Sequence, residues 1–282
     1  MEQICAFHRV ALPPPGECRT GRVHSVYRRA VNLALGDGRL VTLSPVEDGR
    51  GPFSFHLAGS VLPPGLAPGE PVLVTGTLLR VGRWQAALPP EAGYVLPRGV
   101  LYPVPRDYGR AAARLEARLE RERPRVDSDP VWAMTGTRIR RLCADLAEGF
   151  CRKDRPGIVT VGRALLGLGQ GLTPSGDDVL TGLFALLGMA GSPFEGADRL
   201  LGQVIRGQRE QTTDVSWQML SAAAGGCYKQ ALVDCAQALA AEGPEADAFT
   251  DRVLDIGHSS GRDMLLGCLT ALRVLEKQNY NA

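Results

Sequence analysis

The chain has 282 residues, enough for one large domain or two smaller ones, and its 44% of hydrophobic residues can fill a sizeable core. The formal net charge of +2 is unevenly spread, at +3 over residues 1–105, +4 over 106–155 and −5 over 156–282, so the acidic last part argues against a nucleic-acid partner there. Seven cysteines without a C-x-x-C pair argue against a disulfide framework or a zinc site. The N-terminus lacks a signal-peptide pattern, and the longest apolar run (179–190) is too short to span a bilayer. The expectation is a cytoplasmic protein with mostly core cysteines and no membrane partner.

Residues 20–100 read as strands. Asp37-Gly38 separates two alternating apolar runs in RAVNLALGDGRLVTLSP, a hairpin signal, and PFSFHLAG alternates in the same way. GEPVLVTGTLLRV and RWQAALP follow as a further strand pair. From about Tyr108 the period becomes helical. RAAARLEARLERER places Leu115 and Leu119 on one face of a largely solvated helix, and Ile139, Leu142, Cys143, Leu146 and Phe150 follow at helical spacing. Helices are expected over 175–190, 196–224, 226–242, 245–256 and 260–277. The predicted fold class is α+β. A small antiparallel β-rich domain, barrel or sandwich-like, covers 1–105, and an all-helical domain of six or seven helices covers 106–282. Their boundary is expected near Pro103–Tyr108.

An internal repeat marks the helical part. PSGDDVLTGLFALL (174–187) set against SSGRDMLLGCLTAL (259–272) pairs Ser175 with Ser260, Gly176 with Gly261 and Asp178 with Asp263, and then Leu180, Gly182 and Leu187 with Leu265, Gly267 and Leu272. Two similar glycine-bearing helix entrances are therefore expected close together in space, with Gly182 and Gly267 at the contact. Each copy reads as a capping box. Ser175 and Ser260 would be the caps, and Asp178 and Asp263 would reach back to them.

Several groups exceed what capping needs: the glycines of GLGQGLTP, including Gly169 and Gly171, and the polar Thr173, Asp177, His258, Ser259 and Arg262. Helix N-termini favour anions, so two of them together suit a small carboxylate or phosphate. Asp177 and Asp178 complicate this. They would hold loop N–H groups, pair with arginine, or bind a magnesium ion; no residue is assigned to a metal and no cofactor is required. Asp177, whose counterpart is Arg262, is the carboxylate expected to be free for an ion pair across the entrances. A third polar stretch, REQTTDVSWQML, spaces Thr212, Thr213 and Ser216 for one helical face, or for an ordinary helix start. His258 suits a general base or a capping role equally well. There is no nucleophile elbow, Walker loop or dinucleotide fingerprint.

GLGQGLTPSGDDVLTG (167–182), TTDVS (212–216) and GHSSGRDMLLG (257–267) together resemble the AllH-like family, long a bacterial domain of unknown function. One member of it is regarded as a subunit of oxamate carbamoyltransferase in allantoin catabolism. The resemblance is clear over about 155–275. It implies exchange of oxalurate and phosphate with oxamate and carbamoyl phosphate, and it implies partner subunits. Asp177, His258 and Arg262 are then the candidate catalytic groups. Gly169, Gly171, Thr173, Ser175, Gly176, Asp178, Thr212, Thr213, Ser216, Ser259, Ser260, Gly261 and Asp263 are the candidate substrate-binding ones. The alternative is a non-catalytic subunit that binds a small anion or supports assembly around a catalytic partner.

Overall fold

The computed structural model describes residues 4–46, 49–101, 107–126 and 130–279. It divides into two compact units, Met1–Pro97 and Arg98–Ala282. The boundary expected near Pro103–Tyr108 falls mainly on residues 102–106, which lie outside the described ones.

The first unit is one curled nine-stranded sheet: β1 (Ile4–His8), β2 (Arg19–Val26), β3 (Val31–Leu35), β4 (Leu40–Pro45), β5 (Ser54–Leu57), β6 (Pro71–Val74), β7 (Leu78–Val81), β8 (Trp84–Ala87) and β9 (Gly93–Tyr94). Its order is β8-β7-β6-β2-β3-β4-β5-β1-β9. The Asp37-Gly38 turn joins β3 to β4 as the sequence predicts, with Gly38 at a φ of 82°. The stretch read as one strand pair after residue 69 is three strands, β6 to β8, paired in series. Pairing is antiparallel except for β4–β5 and β1–β9. The alternating apolar residues, among them Val31, Leu33, Val41, Leu43, Phe55, Leu57 and Leu79, form its core. A polar knot that the sequence does not reveal is buried in this unit. The Ser54 hydroxyl lies 2.9 Å from His56 Nε2 and 2.8 Å from the Tyr94 hydroxyl, and Tyr94 donates to the Gly51 carbonyl at 2.8 Å.

The second unit contains α1 (Tyr108–Val126), α2 (Pro130–Arg152), α3 (Arg155–Leu165), α4 (Ser175–Leu187), α5 (Asp198–Ile205), α6 (Asp214–Ala224), α7 (Gln230–Ala241), α8 (Ala246–Leu254) and α9 (Ser260–Asn279). The single helix expected over 196–224 is two helices. Gly207 adopts a left-handed φ of 71° after α5, and Thr212 is extended before α6. The first helix is less solvated than its charges suggest. Leu115 and Leu119 are buried in the core, while Arg114 and Arg118 pair with Asp247 and Asp251 on α8. Of the seven cysteines, Cys143, Cys235 and Cys268 are buried; Cys5 and Cys18 are exposed, so the core role extends to fewer of them than expected. Helix α4 is buried along its whole length and is the centre of the unit. Among the described residues no helix is long and apolar enough to cross a membrane.

Candidate functional site

The site is built on the repeat. Helices α4 and α9 make the most extensive helix contact in the unit. A Cβ on Gly182 would run into the Met264 carbonyl, and one on Gly267 would run into the Val179 carbonyl. Val179 and Met264 are themselves equivalent positions of the repeat, so the contact has pseudo-two-fold symmetry. The repeat also extends upstream of what the sequence displays. Gly176 packs on the Leu165 carbonyl at the end of α3, and Gly261 packs on the Val253 carbonyl near the end of α8. Leu168 N–H donates to the Leu165 carbonyl and Ile256 N–H to the Val253 carbonyl, at 2.9 and 3.0 Å. Gly176 N–H in turn donates to Leu168, and Gly261 N–H to Ile256. Each copy is therefore a helix, a tight turn and a second helix. The copies differ in the segment after the shared turn, which is residues 169–174 in the first and 257–259 in the second. Gly176 and Gly261, predicted to contact substrate, sit under backbone from the preceding helix.

The capping box expected at α4 does not form. The N-cap of α4 is Pro174, with no side-chain cap bond, and Ser175 is the first helical residue. Asp178 is then one position too far along to serve as the third residue of a box. The adjacent aspartates instead point to different neighbours. The two oxygens of Asp177 accept from Gly167 N–H at 2.8 Å, from the Ser216 hydroxyl at 2.6 Å and from the Thr212 hydroxyl. Asp177 is 1% exposed. Burial raises its pKa, while Ser216, Thr212 and Gly167 oppose the rise by bonding the ionised form. The expected Asp177–Arg262 pair is thus replaced by a tie between the glycine loop and the start of α6. Thr212, Thr213 and Ser216 do not share a helical face. Thr213 is the N-cap of α6, accepting from Ser216 N–H at 3.1 Å, and its hydroxyl donates to the Leu172 carbonyl.

Asp178 faces the other repeat copy. The Thr173 and Ser260 hydroxyls, hydrogen-bonded to one another at 2.7 Å, both lie against its carboxyl and favour its ionised form. Asp178 is 3% exposed, and its Oδ2 is buried without a hydrogen-bond partner. Desolvation and the nearby Asp263 charge hold its carboxyl well above the ordinary carboxylate range. Asp263, its repeat equivalent, is 5% exposed. The carboxylates that act on one another most strongly are therefore Asp178 and Asp263, on facing helices, more than the sequence neighbours Asp177 and Asp178.

The glycine loop carries three left-handed glycines, Gly167, Gly169 and Gly171, at φ values of 70°, 126° and 99°. Gly167 lies against the Gln211 carbonyl and Gly169 against Ser175, which is buried beneath it. Gly171 has open space where a Cβ would be. Residues 170–172 are exposed. His258 is exposed on the turn before α9, and Ser259 accepts the Asp263 N–H through its carbonyl at 3.0 Å. Arg262 points elsewhere. It lines a cavity of about 390 Å³ between α1, α2 and α9, together with Glu116, Arg140, Cys143 and Arg273, and its Nε is buried without a partner.

Residues 165–272 match the family described as oxamate carbamoyltransferase subunit AllH, and residues 6–92 match the AllH family N-terminal domain. Together these matches cover more than half of the chain, which belongs to the AllH family. The family name indicates a subunit of oxamate carbamoyltransferase, and hence other protein subunits. No solved structure matches the chain.

Proposed function

We propose that this AllH-family chain receives the small anionic reactants of carbamoyl transfer where α4, α6 and α9 begin, and that it works with other subunits. The reactants are oxamate or oxalurate, and phosphate or carbamoyl phosphate. One observation carries the reading: the motifs at 167–182, 212–216 and 257–267 are tied to one another through Asp177 and through the Thr173–Ser260 hydroxyl pair. Three helix N-termini bring their positive dipole ends to that region, and small carboxylates and phosphates are the ligands such ends favour. The exposed loop at Gly169–Thr173 lets a ligand approach the backbone closely. Its N–H groups and the hydroxyls of Ser259 and Ser260 are the donors for the oxyanion that develops at the carbamoyl carbon, and Ser175 lies buried beneath Gly169. His258, exposed on the turn before α9, is the one candidate catalytic side chain that faces this region, since Arg262 lines the cavity between α1, α2 and α9. Asp177, Thr212, Thr213 and Ser216 act by holding the loop against α6.

A purely binding or assembly role is favoured by one feature: among the described residues, the hydroxyls at the entrances are bonded to one another or lie against carboxyls, and none is bonded to a histidine. Residues 1–105 and 106–282 are read as separate domains, the first as a docking surface for partner subunits.

Thermal denaturation of the chain with oxamate, phosphate and carbamoyl phosphate tests the binding claim. A ligand at a hundredfold excess over Kd stabilises by about 2.7 kcal/mol. Wild type should shift, and a variant lacking residues 169–171 should not. Equal shifts in both would remove the loop from the site. Carbamoyl transfer by the reconstituted subunits, lost in the same variant, separates a catalytic role from an assembly role.

A further inference from the structure

We propose that Asp178 and Asp263 share one proton and carry it during carbamoyl transfer, with the Thr173–Ser260 hydroxyl pair as the path between them and the exposed loop. The proposal rests on the functional reading above and assigns the acid–base step within it.

Three observations support it. First, the two carboxyl groups occupy equivalent positions on two helices packed through Gly182 and Gly267, and both are at least 95% buried. Second, Asp178 Oδ2 has no hydrogen-bond partner. An ionised oxygen buried in this way is costly, and a proton on the carboxyl removes that cost and lessens the repulsion from Asp263. Third, the Thr173 and Ser260 hydroxyls, 2.7 Å apart and each only partly buried, lie against Asp178 and lead outward to the glycine loop. Asp177 cannot take this role, because its oxygens are occupied by Gly167, Thr212 and Ser216.

The surrounding charges agree with one proton on the pair. Each helix N-terminus supplies roughly half a positive charge, so the two together offset only one of the three buried carboxylates Asp177, Asp178 and Asp263, and a proton on the facing pair lowers the remaining charge. The other charged or titratable groups nearby are Asp177 on α4, Arg262 on α9, and Arg140 and Cys143 on α2, where Cys143 feels both Asp263 and Arg140. The arrangement follows the general rule that two like carboxyls in one site separate their titrations, one being kept protonated near neutral pH.

The step balances. When phosphate attacks the ureido carbon of oxalurate, a P–O–C bond forms and the C–N bond to the oxamate nitrogen breaks. The phosphate O–H proton passes to the carboxylate of the pair, and the carboxylic acid of the pair protonates the departing nitrogen. The products are carbamoyl phosphate and oxamate, and the pair ends with one proton, as it began.

Infrared spectroscopy of the purified chain at pH 7 tests proton sharing without relying on activity. The carbonyl band of a protonated carboxyl should be present in wild type and lost in both Asp178→Asn and Asp263→Asn. Absence of the band, its persistence in both variants, or its collapse on adding magnesium chloride would overturn the proposal, the last by assigning the pair to a cation. With the partner subunits present, Asp178→Asn should lower kcat by about 100-fold or more, the scale of a lost general acid–base. KM for phosphate should change little, and the limb of the pH–rate profile belonging to the pair should disappear. Thr173→Val should lower kcat while keeping the infrared band. An Asp178→Asn enzyme with wild-type kcat overturns the proton-carrier role even with the band present. A chain that keeps the band but shows no ligand-induced thermal shift contradicts the functional reading instead.

Discussion

At the α4 entrance the residue after Gly176 is Asp177; at the α9 entrance the residue after Gly261 is Arg262. The surrounding frame is the same. Both glycines rest on the carbonyl of a preceding helix, both helices carry a glycine two turns further on, and those glycines pack on each other's helix. The glycines at which the copies agree hold backbones together, and the aspartates at which they agree, Asp178 and Asp263, act on one another across the contact. The positions at which they differ hold something else: Asp177 anchors a longer glycine loop to α6, while Arg262 turns toward the cavity between α1, α2 and α9. A duplicated frame with one elaborated loop is how a packing unit acquires a one-sided site.

The largest test of that frame is to break its contacts. Gly182→Ala and Gly267→Ala should each destabilise the helical unit by about 3 kcal/mol or more, because the new methyl meets backbone that cannot move aside. Chemical denaturation measures this, and a large effect on one side only would end the pseudo-symmetry. Next, Asp177→Ala should lower stability by about 2–4 kcal/mol, since it strands the Gly167 N–H and the Thr212 and Ser216 hydroxyls. Arg262→Ala, at the equivalent position, should cost no more than about 1 kcal/mol. Equal losses would mean that the two positions are not specialised.

Asp178→Asn should act in the opposite direction. The Asp178 carboxyl is held above its unfolded value by burial and by Asp263, so the folded state retains a proton that the unfolded chain has already released. That mismatch makes wild-type stability fall as pH rises from the ordinary carboxylate range through the raised folded value. The amide variant escapes this fall. Its melting temperature should exceed wild type at neutral pH, and the gap should narrow as the solution is acidified. A gap that widens on acidification would reverse the sign assigned to Asp178. A small effect on stability is expected from deleting residues 169–171, which gives the first loop the length of the second. Shortening a loop changes its closure entropy by well under about 1 kcal/mol. The deletion also displaces Leu172 and Thr173 from Thr213 and Ser260, so it should lower stability by about 1 kcal/mol, one lost hydrogen bond's worth, while abolishing the ligand-induced shift.

The glycine register in the sequence was enough to bring α4 and α9 together, because only glycine allows backbones to approach so closely, and six matched positions carry that signal. The extension of the repeat into α3 and α8 was not legible. It is made by the carbonyls of Leu165 and Val253, which leave no shared side chain to align. The division of labour between the aspartates was misread because Pro174, not Ser175, is the N-cap. One residue of register turns Asp178 toward α9 and Asp177 toward α6. The α6 threonines stand out in the sequence as a cluster, but only the fold reveals that Thr212 is extended and that Thr213 is a cap. The buried Ser54–His56–Tyr94 knot was not legible either: Ser54 and His56 share one face of β5, but Tyr94 joins them from forty residues further along the chain.

Crystals of the chain grown with its partner subunits and soaked with oxamate and phosphate test the central claim most directly. The expected result is ligand density over the loop at Gly169–Thr173, within hydrogen-bond distance of its N–H groups and of Ser260. Density only in the cavity beside Arg262, or only on a partner subunit, would contradict the assignment of the reacting anions to the paired helix entrances.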